Sequence, residues 1–327
     1  MTKYVTFVIG RFQVPSPHAG HMHLVQEAIN LGTKTYILLG SANRPRSVKN
    51  PFLYEERAEM FKKLFPEVSV YPLNDHKYSD PQWMADVAAT VNHAMQNHPN
   101  CKPMLVGSFK DGNDYLRWFP QFANHNVEPK FDVDGTRVRA ALKHTLPQSV
   151  QDDINYFADE AMLFKDYPYE GHLNINCADA VVECMGHILL IERGRAPGAG
   201  TWALPGGHKQ TNETFLECAL RELVEETNLR VPEKVLRGSI ESTRLFDSPT
   251  RGCGQPKSTL AVHIKIQPDA DGKFPRANGM DDAKEAKWVS IYDALNKLRL
   301  YDDHGDIISA MTKVTPVIAL ATRKIYV

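Results

Sequence analysis

Two histidines, His18 and His21, lie three residues apart in the segment GRFQVPSPHAGH. The apolar run KYVTFVIG precedes this segment and predicts a buried strand, whereas the helical spacing of apolar residues after it predicts a helix. Both imidazoles are therefore expected at a helix N-terminus, where free N–H groups and the helix dipole attract phosphate. Imidazoles can donate hydrogen bonds to phosphoryl oxygens without a permanent charge. For the four-residue pattern alone, metal ligands and ordinary surface histidines remain alternatives.

Three carboxylates, Glu222, Glu225 and Glu226, form the second candidate site. Their spacing of i, i+3 and i+4 places them on one face of a predicted helix. Such crowding of like charges costs stability unless a cation neutralises it, and ligands that are all oxygen select a hard metal such as Mg²⁺ or Mn²⁺. The alternative is a solvated acidic helix face, which is common.

The elements that must position the histidines alternate between strand and helix. Four apolar strands are predicted at residues 3–10, 35–40, 68–73 and 102–107, with helices between them at 21–32, 50–65 and 79–95. This alternation predicts a doubly wound parallel sheet of the α/β class. Ligands of such sheets bind at the carboxyl ends of the strands, where His18 and His21 are placed.

The second half of the chain predicts a mixed α+β domain. Residues 178–184 and 187–193 form two strands joined across Met185–Gly186, a predicted hairpin. Residues 258–267 alternate like a half-buried strand, and 287–300 predict a strand followed by a helix. An amphipathic helix over 150–166 is expected to close the first domain. The predicted domains are therefore residues 1–166 and 173–327.

Composition limits the classes of function. A chain of 327 residues is long for one core and favours two domains. A net charge of −1 with dispersed Lys and Arg argues against bulk binding to nucleic acid or to anionic lipid. No apolar run predicts a signal core or a membrane span. Five cysteines without a CxxC pair indicate reduced thiols and a cytoplasmic location.

The first half resembles a known superfamily. GRFQVPSPHAGH is similar to the HxGH signature of the nucleotidyltransferases, and DVDGTRVRAAL to their second signature, with Thr136 and Arg139 at the matching positions. GSANRPRSVKNPFLYEER and YSDPQWMADV resemble the archaeal-type nicotinamide mononucleotide adenylyltransferases. The resemblance implies transfer of AMP from ATP to nicotinamide mononucleotide. The products are NAD and pyrophosphate, and Mg²⁺ bridges the departing phosphates.

This resemblance implies roles for individual residues. His18 and His21 would hold the ATP phosphates and stabilise the charge that develops on the transferred group. Arg11 and Arg139 would clamp the polyphosphate, for which a planar cation with several donors is suited. Trp83 would stack on the nicotinamide ring, a core tryptophan being the alternative. The other substrate-binding candidates are Gly10, Phe12, Arg57, Gly107, Thr136, and Lys49 at a position where relatives often carry arginine.

The carboxylate helix is similar to the Nudix box. Gly207, Glu213 and Arg221 precede the glutamates at the intervals of that motif, and its final glycine is replaced by Asn228. Asparagine is the next residue after glycine to tolerate positive φ, so the turn is expected to persist. The box implies metal-assisted attack of water on a pyrophosphate. Metals would be bound by Glu222, Glu225 and Glu226, the last two also being catalytic, with support from Arg221, Glu213 and Gly207.

The substrate of the second domain is suggested by RLFDSPTRGCG. This segment resembles the one that follows the box in ADP-ribose-hydrolysing relatives, where Arg251 would contact a phosphate; an ordinary surface arginine is the alternative. Asp282 and Glu285 are the candidates for the general base. ADP-ribose hydrolysis would yield AMP and ribose 5-phosphate.

The whole chain resembles the bifunctional adenylyltransferase–Nudix proteins. The expected small-molecule partners are ATP, nicotinamide mononucleotide and ADP-ribose, with neither nucleic acid nor a membrane, and a homo-oligomer is compatible with the sequence. One alternative is adenylyl transfer to another phosphorylated acceptor such as phosphopantetheine, against which Trp83 and the NPF-x-x-x-ER segment count. The other is a Nudix domain that senses nucleotides without hydrolysing them, against which the complete set of glutamates counts.

Overall fold

The computed structural model describes residues 2–108, 115–133, 135–141, 145–167, 173–281 and 283–318. The chain divides into two compact units, the first reaching to Pro147 and the second running from Gln148 to Val317. None of the helices in the described part of the chain is both long and apolar enough to cross a lipid bilayer.

The first unit is built on a parallel sheet. Its elements are β1 (Tyr4–Gly10), α1 (Ala19–Leu31), β2 (Lys34–Leu39), α2 (Tyr54–Leu64), β3 (Ser69–Pro72), α3 (Asp80–Met95), β4 (Lys102–Gly107), β5 (Ala123–Asn126) and α4 (Gly135–Ala141). The strands are ordered β3-β2-β1-β4-β5 and every neighbouring pair is parallel. The order reverses between β1 and β4, which makes the end of β1 a topological switch point. The predicted doubly wound sheet is confirmed.

The parallel sheet is buried on both faces because its strands carry consecutive apolar residues. Phe7 and Val8 of β1 are fully buried and point to opposite faces. Val8 packs in the cluster that contains Val25 of α1 and Phe61 of α2. Phe7 packs in the cluster that contains Val87 of α3. The central strand is thereby fixed, and with it the loop that begins at its carboxyl end.

The second unit is built on a mixed sheet. Its elements are α5 (Gln148–Leu163), β6 (Ile175–Cys184), β7 (His187–Arg193), β8 (Trp202–Ala203), β9 (Gly206–His208), α6 (Phe215–Thr227), α7 (Glu233–Gly238), β10 (Ile240–Phe246), β11 (Lys257–Lys265), β12 (Ala283–Ser290), α8 (Ile291–Lys297) and α9 (His304–Thr312). The strands are ordered β10-β11-β6-β7-β12, with β9 on β6 and β8 on β7. β11 and β6 are parallel, and the other neighbouring pairs are antiparallel. The predicted α+β architecture is confirmed.

Two turns of the second unit have the predicted conformation. Met185 and Gly186 join β6 to β7 with φ of 47° and 70°, the positive values that a two-residue hairpin turn requires. Asn228 ends α6 with φ of 43° and ψ of 38°, in the left-handed region. The residue that departs from the Nudix box therefore keeps the helix-terminating turn of the motif.

Helix α5 lies with the second unit, whereas the sequence predicted that it closes the first. The units divide before α5, at residues 147 and 148, and the predicted boundary lies after it, between 166 and 173. Asp153 and Glu160 are buried and both accept hydrogen bonds from main-chain N–H groups of the second unit. The amphipathic pattern correctly indicates that one face must be covered, but a helical pattern contains no information about which domain covers it.

Candidate active sites

The imidazole pair lies at the switch point of the first unit. His18 is the N-cap residue of α1, with extended backbone, and its Nδ1 accepts a hydrogen bond from the main-chain N–H of His21 at 3.4 Å. The two rings are stacked, with centroids 3.6 Å apart and planes inclined by 21°. A ring carbon of Phe12 packs edge-on against His21, at a centroid distance of 4.8 Å. The orientation of His21 is therefore set by contacts on two sides.

His21 is uncharged in the folded protein. Burial, with a smaller contribution from the neighbouring His18, lowers its pKa to about 3. Among the described residues, Nδ1 of His21 is buried and has no hydrogen-bond partner. A neutral imidazole retains one N–H donor, and its contact with a phosphoryl oxygen stays a prediction from the sequence.

Gly10 and Phe12 support the imidazole pair from behind. Phe12 is 6% exposed and adopts a φ of 48°, and its ring also packs edge-on against Phe61 at 4.8 Å. A Cβ on Gly10 would lie only 2.7 Å from the Phe12 ring, so glycine is needed for this packing. The sequence predicted that Phe12 contacts substrate, but its side chain is in the core and orients His21.

The side chain of Arg57 binds the main chain of the first unit, whereas the sequence predicted that it contacts substrate. Its side chain is fully buried, and burial lowers its pKa to about 10. Nη1 donates to the carbonyls of Arg11 and Gly40, and Nη2 donates to that of Ser41 at 3.3 Å. Nε donates to carbonyls at the start of α2. Since every nitrogen already donates to the main chain, Arg57 holds together the loops that follow β1 and β2.

The second nucleotidyltransferase signature lies beside the first. Arg139 of α4 donates from Nη1 to the carbonyl of Gln13 at 3.0 Å and from Nη2 to the hydroxyl of Thr136 at 3.0 Å. The loop after β1 and helix α4 are thus in contact although they are 126 residues apart in sequence. Arg11 and Lys49 have exposed side chains, and Gly107 ends the neighbouring strand β4.

Trp83 lies at the edge of the core of the first unit. Its partly buried ring makes edge-on contacts with Tyr115 and Trp118 at 5.8 and 6.0 Å, and it packs against the buried Phe119. Tyr115 in turn donates from its hydroxyl to the carbonyl of Ile9, the last residue before Gly10. Trp83 therefore belongs to an aromatic cluster that reaches the carboxyl end of β1.

Arg221 organises the carboxylates of the second unit. Nε and Nη2 bind both oxygens of Glu213, at 2.9 and 2.8 Å, and Nη1 donates to Glu222 and Glu225 at 2.8 Å each. The hydrogen bond from Arg221, with a second from the main chain of Gln210, holds the pKa of Glu213 near 2. The like charges on α6 are therefore partly neutralised by an arginine within the same helix.

Glu226 is the buried member of this set, and Glu222 is partly buried. Glu226 accepts a hydrogen bond from the N–H of Gly206 at 2.9 Å, and burial raises its pKa to about 8. Burial also raises the pKa of Glu222. A Cβ on Gly207 would collide with the Glu222 carboxylate, so glycine allows this carboxylate to lie against β9. Burial therefore disfavours the ionised form of both glutamates, and at Glu222 it outweighs the ion pair with Arg221.

The donor set suits a hard divalent cation. Three carboxylates lie on one helix face, and two of them, Glu222 and Glu226, have a raised pKa that a bound cation would lower. In the conformation described, with Arg221 between the side chains, no three acidic, imidazole or thiol groups of the described residues converge on one point that could hold a metal ion. The three carboxylates nevertheless have the chemistry that the predicted metal requires, since all their donor atoms are oxygens.

A cavity of about 440 Å³ adjoins these carboxylates. This is a volume typical of small-molecule sites. Its lining includes Glu222, Glu225, Glu226, Arg221, Arg251, Asp179, Arg193, Arg195, Lys257, Tyr156 and Tyr301. The sequence identified the residues of the box, but it gave no signal for Tyr156, Arg193, Lys257 or Tyr301, which come from separate elements.

Arg251 lies inside this cavity and is not the ordinary surface arginine that was the alternative. It is 8% exposed, and its guanidinium donates to Asp303 at 3.0 Å and to Asp179 at 3.3 Å. Of the predicted general bases, Asp282 is outside the described residues and Glu285 is exposed on β12. The neighbouring Asp281 lines the cavity.

Comparisons with known proteins agree with this division. The model of the cytidylyltransferase-like family matches residues 7–100, and the model of the NUDIX domain matches residues 175–311. The nicotinamide/nicotinic acid mononucleotide adenylyltransferase of Acinetobacter baylyi is 33% identical over 144 residues, which are 42% of this chain and 74% of that protein. The ADP-ribose pyrophosphatase of Methanocaldococcus jannaschii is 35% identical over 130 residues, 40% of this chain and 68% of that protein.

A solved structure is similar along nearly the whole chain. It is a bifunctional NMN adenylyltransferase/ADP ribose pyrophosphatase from Francisella tularensis in complex with AMP and a Mn ion, with a TM-score of 0.83 and 25% identity, covering 96% of this chain and 99% of that one. The fold and the two sites thus define a nucleotidyltransferase unit joined to a Nudix unit. The chain belongs to the nicotinamide mononucleotide adenylyltransferase family in its first unit and to the Nudix ADP-ribose pyrophosphatases in its second.

Proposed function

We propose that this chain carries out two reactions of NAD metabolism. The first unit transfers AMP from ATP to nicotinamide mononucleotide, which yields NAD and pyrophosphate. The second unit hydrolyses ADP-ribose to AMP and ribose 5-phosphate. The observation that carries the proposal is the similarity to a bifunctional enzyme of both activities over 96% of the chain. The signature motifs of each unit support it, and the Nudix box departs only at Asn228.

In the first reaction the phosphate of the mononucleotide attacks the α-phosphorus of ATP in line. No side-chain nucleophile is required, because positioning and charge stabilisation lower the barrier. The neutral His21 donates to the charge that builds up on the transferred group, with His18 beside it. Arg139, fixed to the loop after β1, and the exposed Arg11 bind the polyphosphate. Mg²⁺ would screen the departing phosphates.

The remaining contacts of the first site belong to the same proposal. Trp83 offers the exposed part of its ring to nicotinamide, while Thr136 and Lys49 contact phosphates. Gly10 and Gly107 leave the ends of β1 and β4 open to the nucleotide. The binding of ATP and nicotinamide mononucleotide is supported by the adenylyltransferase relatives.

In the second reaction Glu222, Glu225 and Glu226 hold Mg²⁺, with Mn²⁺ as the alternative metal. Bound there, the ion supplies positive charge to the pyrophosphate and activates water for attack. Arg221 fixes the orientation of Glu222 and Glu225, and Glu213 fixes Arg221 through two hydrogen bonds. Arg251 is held by Asp179 and Asp303 at the wall of the cavity, where its charge faces the diphosphate.

A cytoplasmic location completes the proposal, and free cysteines at all five positions are consistent with it. Incubation of the purified chain with Mg²⁺ and a panel of nucleotides tests both reactions. We expect that NAD forms from ATP and nicotinamide mononucleotide, and that AMP forms from ADP-ribose. NAD formation that is slower than transfer to phosphopantetheine would assign another acceptor. Tight binding of ADP-ribose without turnover would assign a sensor.

A further inference from the structure

One wall of the hydrolase cavity comes from outside the Nudix region. Tyr156 of α5 lines the cavity together with Glu222 and Glu226 of α6. The match to the NUDIX domain model begins at residue 175, well after α5 ends at Leu163. A side chain that the Nudix motif does not include therefore faces the same space as the proposed metal ligands.

Hydrogen bonds on both sides of Tyr156, and one ion pair, hold α5 in place. One turn before it, Asp153 accepts a hydrogen bond from the N–H of Gly198 at 2.9 Å. One turn after it, Glu160 accepts from the N–H of Gln255 at 3.0 Å and pairs with Lys257. Asp153 and Glu160 are 5% and 6% exposed. Removal of a buried charged partner is costly, so these contacts fix the position of the helix.

The close approach of α5 also depends on a glycine. A Cβ on Gly254 would collide with the Phe157 ring and with the Glu160 carboxylate. The ring of Phe157, which lies close to the backbone of Gly254, meets the Tyr156 ring edge-on with centroids 5.4 Å apart. The Tyr156 ring is therefore preorganised at the wall of the cavity.

The surroundings of Tyr156 differ from those of the carboxylates. α5 is anchored on the loop that contains Gly198 and on the segment before β11, whereas the carboxylates are on α6. The lining also includes the cations Arg193, Arg195 and Lys257. The cavity thus combines metal-binding oxygens, positive charges suited to a diphosphate, and two phenol rings. The guanidinium of Arg193 lies over the Tyr301 ring at 4.5 Å, whereas the Tyr156 ring comes from α5. An aromatic ring of this kind binds the flat face of a base by stacking.

We propose that Tyr156 is a substrate-contacting residue of the hydrolase, which stacks on the base of a nucleoside diphosphate substrate. Helix α5 is then a functional part of the second unit. This inference rests on the proposed hydrolysis of ADP-ribose. It extends the site beyond the Nudix motif and assigns the nucleoside end of the substrate to the α5 wall.

The test uses the full-length chain with Tyr156→Ala, Tyr156→Leu and Tyr156→Phe. Loss of stacking should raise the KM for ADP-ribose about tenfold in the Ala variant, with kcat within about twofold of wild type. Leu keeps the bulk without the π face and should also raise KM, whereas Phe should behave like wild type. Tyr292→Ala, which removes an exposed ring outside this cavity, is the matched control. Thermal melting curves of the same samples show that the second unit is folded, and NAD synthesis shows that the first unit is intact.

Product binding identifies the end of the substrate that Tyr156 contacts. Affinity for AMP, measured at equilibrium in EDTA, should fall about tenfold in Tyr156→Ala, and affinity for ribose 5-phosphate should not change. Unchanged AMP affinity in both Ala and Leu variants, or a loss confined to ribose 5-phosphate, overturns the inference. Absence of ADP-ribose hydrolysis in the wild type overturns the proposed function instead, and the AMP measurement still tests Tyr156.

Discussion

Burial determines the charge of the residues on which both sites depend. In the first unit it keeps His21 neutral, so that a hydrogen-bond donor lies at a helix N-terminus without a permanent charge. In the second unit it raises the pKa of Glu226 to about 8, while hydrogen bonds from Arg221 keep Glu213 ionised. The first site is thus prepared for phosphate and the second for a cation.

The protonation of His21 gives a direct prediction. Its folded pKa of about 3 lies below the ordinary value of 6.5, so as pH falls between these values the unfolded chain binds the proton first. His21 therefore has no effect on stability above about pH 6.5, and lowers the free energy of unfolding below it. The His21 ring resonance, assigned by its loss in His21→Gln, should stay constant from about pH 7.5 to 5. A titration midpoint near 6.5 would show that the ring is solvated.

Trp83 is tested by a graded pair of substitutions. If its exposed ring stacks on nicotinamide, Trp83→Ala should raise the KM for nicotinamide mononucleotide about tenfold and leave the KM for ATP nearly unchanged. Trp83→Phe keeps an aromatic face, so its KM for nicotinamide mononucleotide should lie between the values of the wild type and of Trp83→Ala. A folded Ala variant with an unchanged mononucleotide KM would assign Trp83 to the core cluster alone.

At the scale of elements, the strands and helices with long apolar patterns could be predicted from the sequence, and the short polar strands could not. The strands β1, β2 and β4 and the helices α1, α3 and α6 have the predicted type because their periodicity is strong. β5 has the sequence ANHN and β9 the sequence GGH, so both are defined by pairing with a neighbour and not by their own propensity. The unit to which α5 belongs could not be predicted for a related reason, since its partners are distant in sequence.

The site residues divide in the same way. Motifs identified His18, His21 and the glutamates of α6 because their local spacing is itself the signal. Arg57 and Phe12 also matched a motif, but Arg57 binds main-chain carbonyls and Phe12 packs in the core. Whether a motif residue contacts substrate or supports the site depends on packing, which the motif does not contain. Tyr156 gave no signal, because it reaches the cavity only after α5 docks on Gly198 and Gln255.

The C-terminal turn of α6 provides a stability prediction at this scale. Asn228 has a positive φ, which costs an alanine about 1 kcal/mol more than glycine. Asn228→Ala should therefore lower the melting temperature of the second unit by a few degrees, and Asn228→Gly should not. Thermal denaturation of both variants is the measurement. Equal destabilisation by Gly and Ala would mean that the asparagine side chain, and not the backbone conformation, matters.

At the scale of the whole molecule, each unit has its own sheet and its own core clusters. The apolar clusters that surround β1 consist of residues of the first unit, and the cluster beneath α6 consists of residues of the second. Each set of proposed catalytic residues likewise lies within one unit. We therefore expect the two activities of the chain to respond separately to substitutions in the two units.

The most direct test measures both activities on one preparation of His21→Ala and of Glu225→Gln, with His23→Ala and Glu233→Gln as controls. His21→Ala should lower NAD synthesis about 100-fold or more and leave ADP-ribose hydrolysis within about twofold. Glu225→Gln should lower ADP-ribose hydrolysis and leave NAD synthesis nearly unchanged, because it removes one anionic metal ligand and keeps the shape of the side chain. Added Mg²⁺ should restore hydrolysis only in part. The melting temperature of Glu225→Gln should not fall, because the substitution relieves the crowding of like charges on α6. Wild-type hydrolysis in Glu225→Gln, or a joint loss of both activities in either folded variant, would contradict the account.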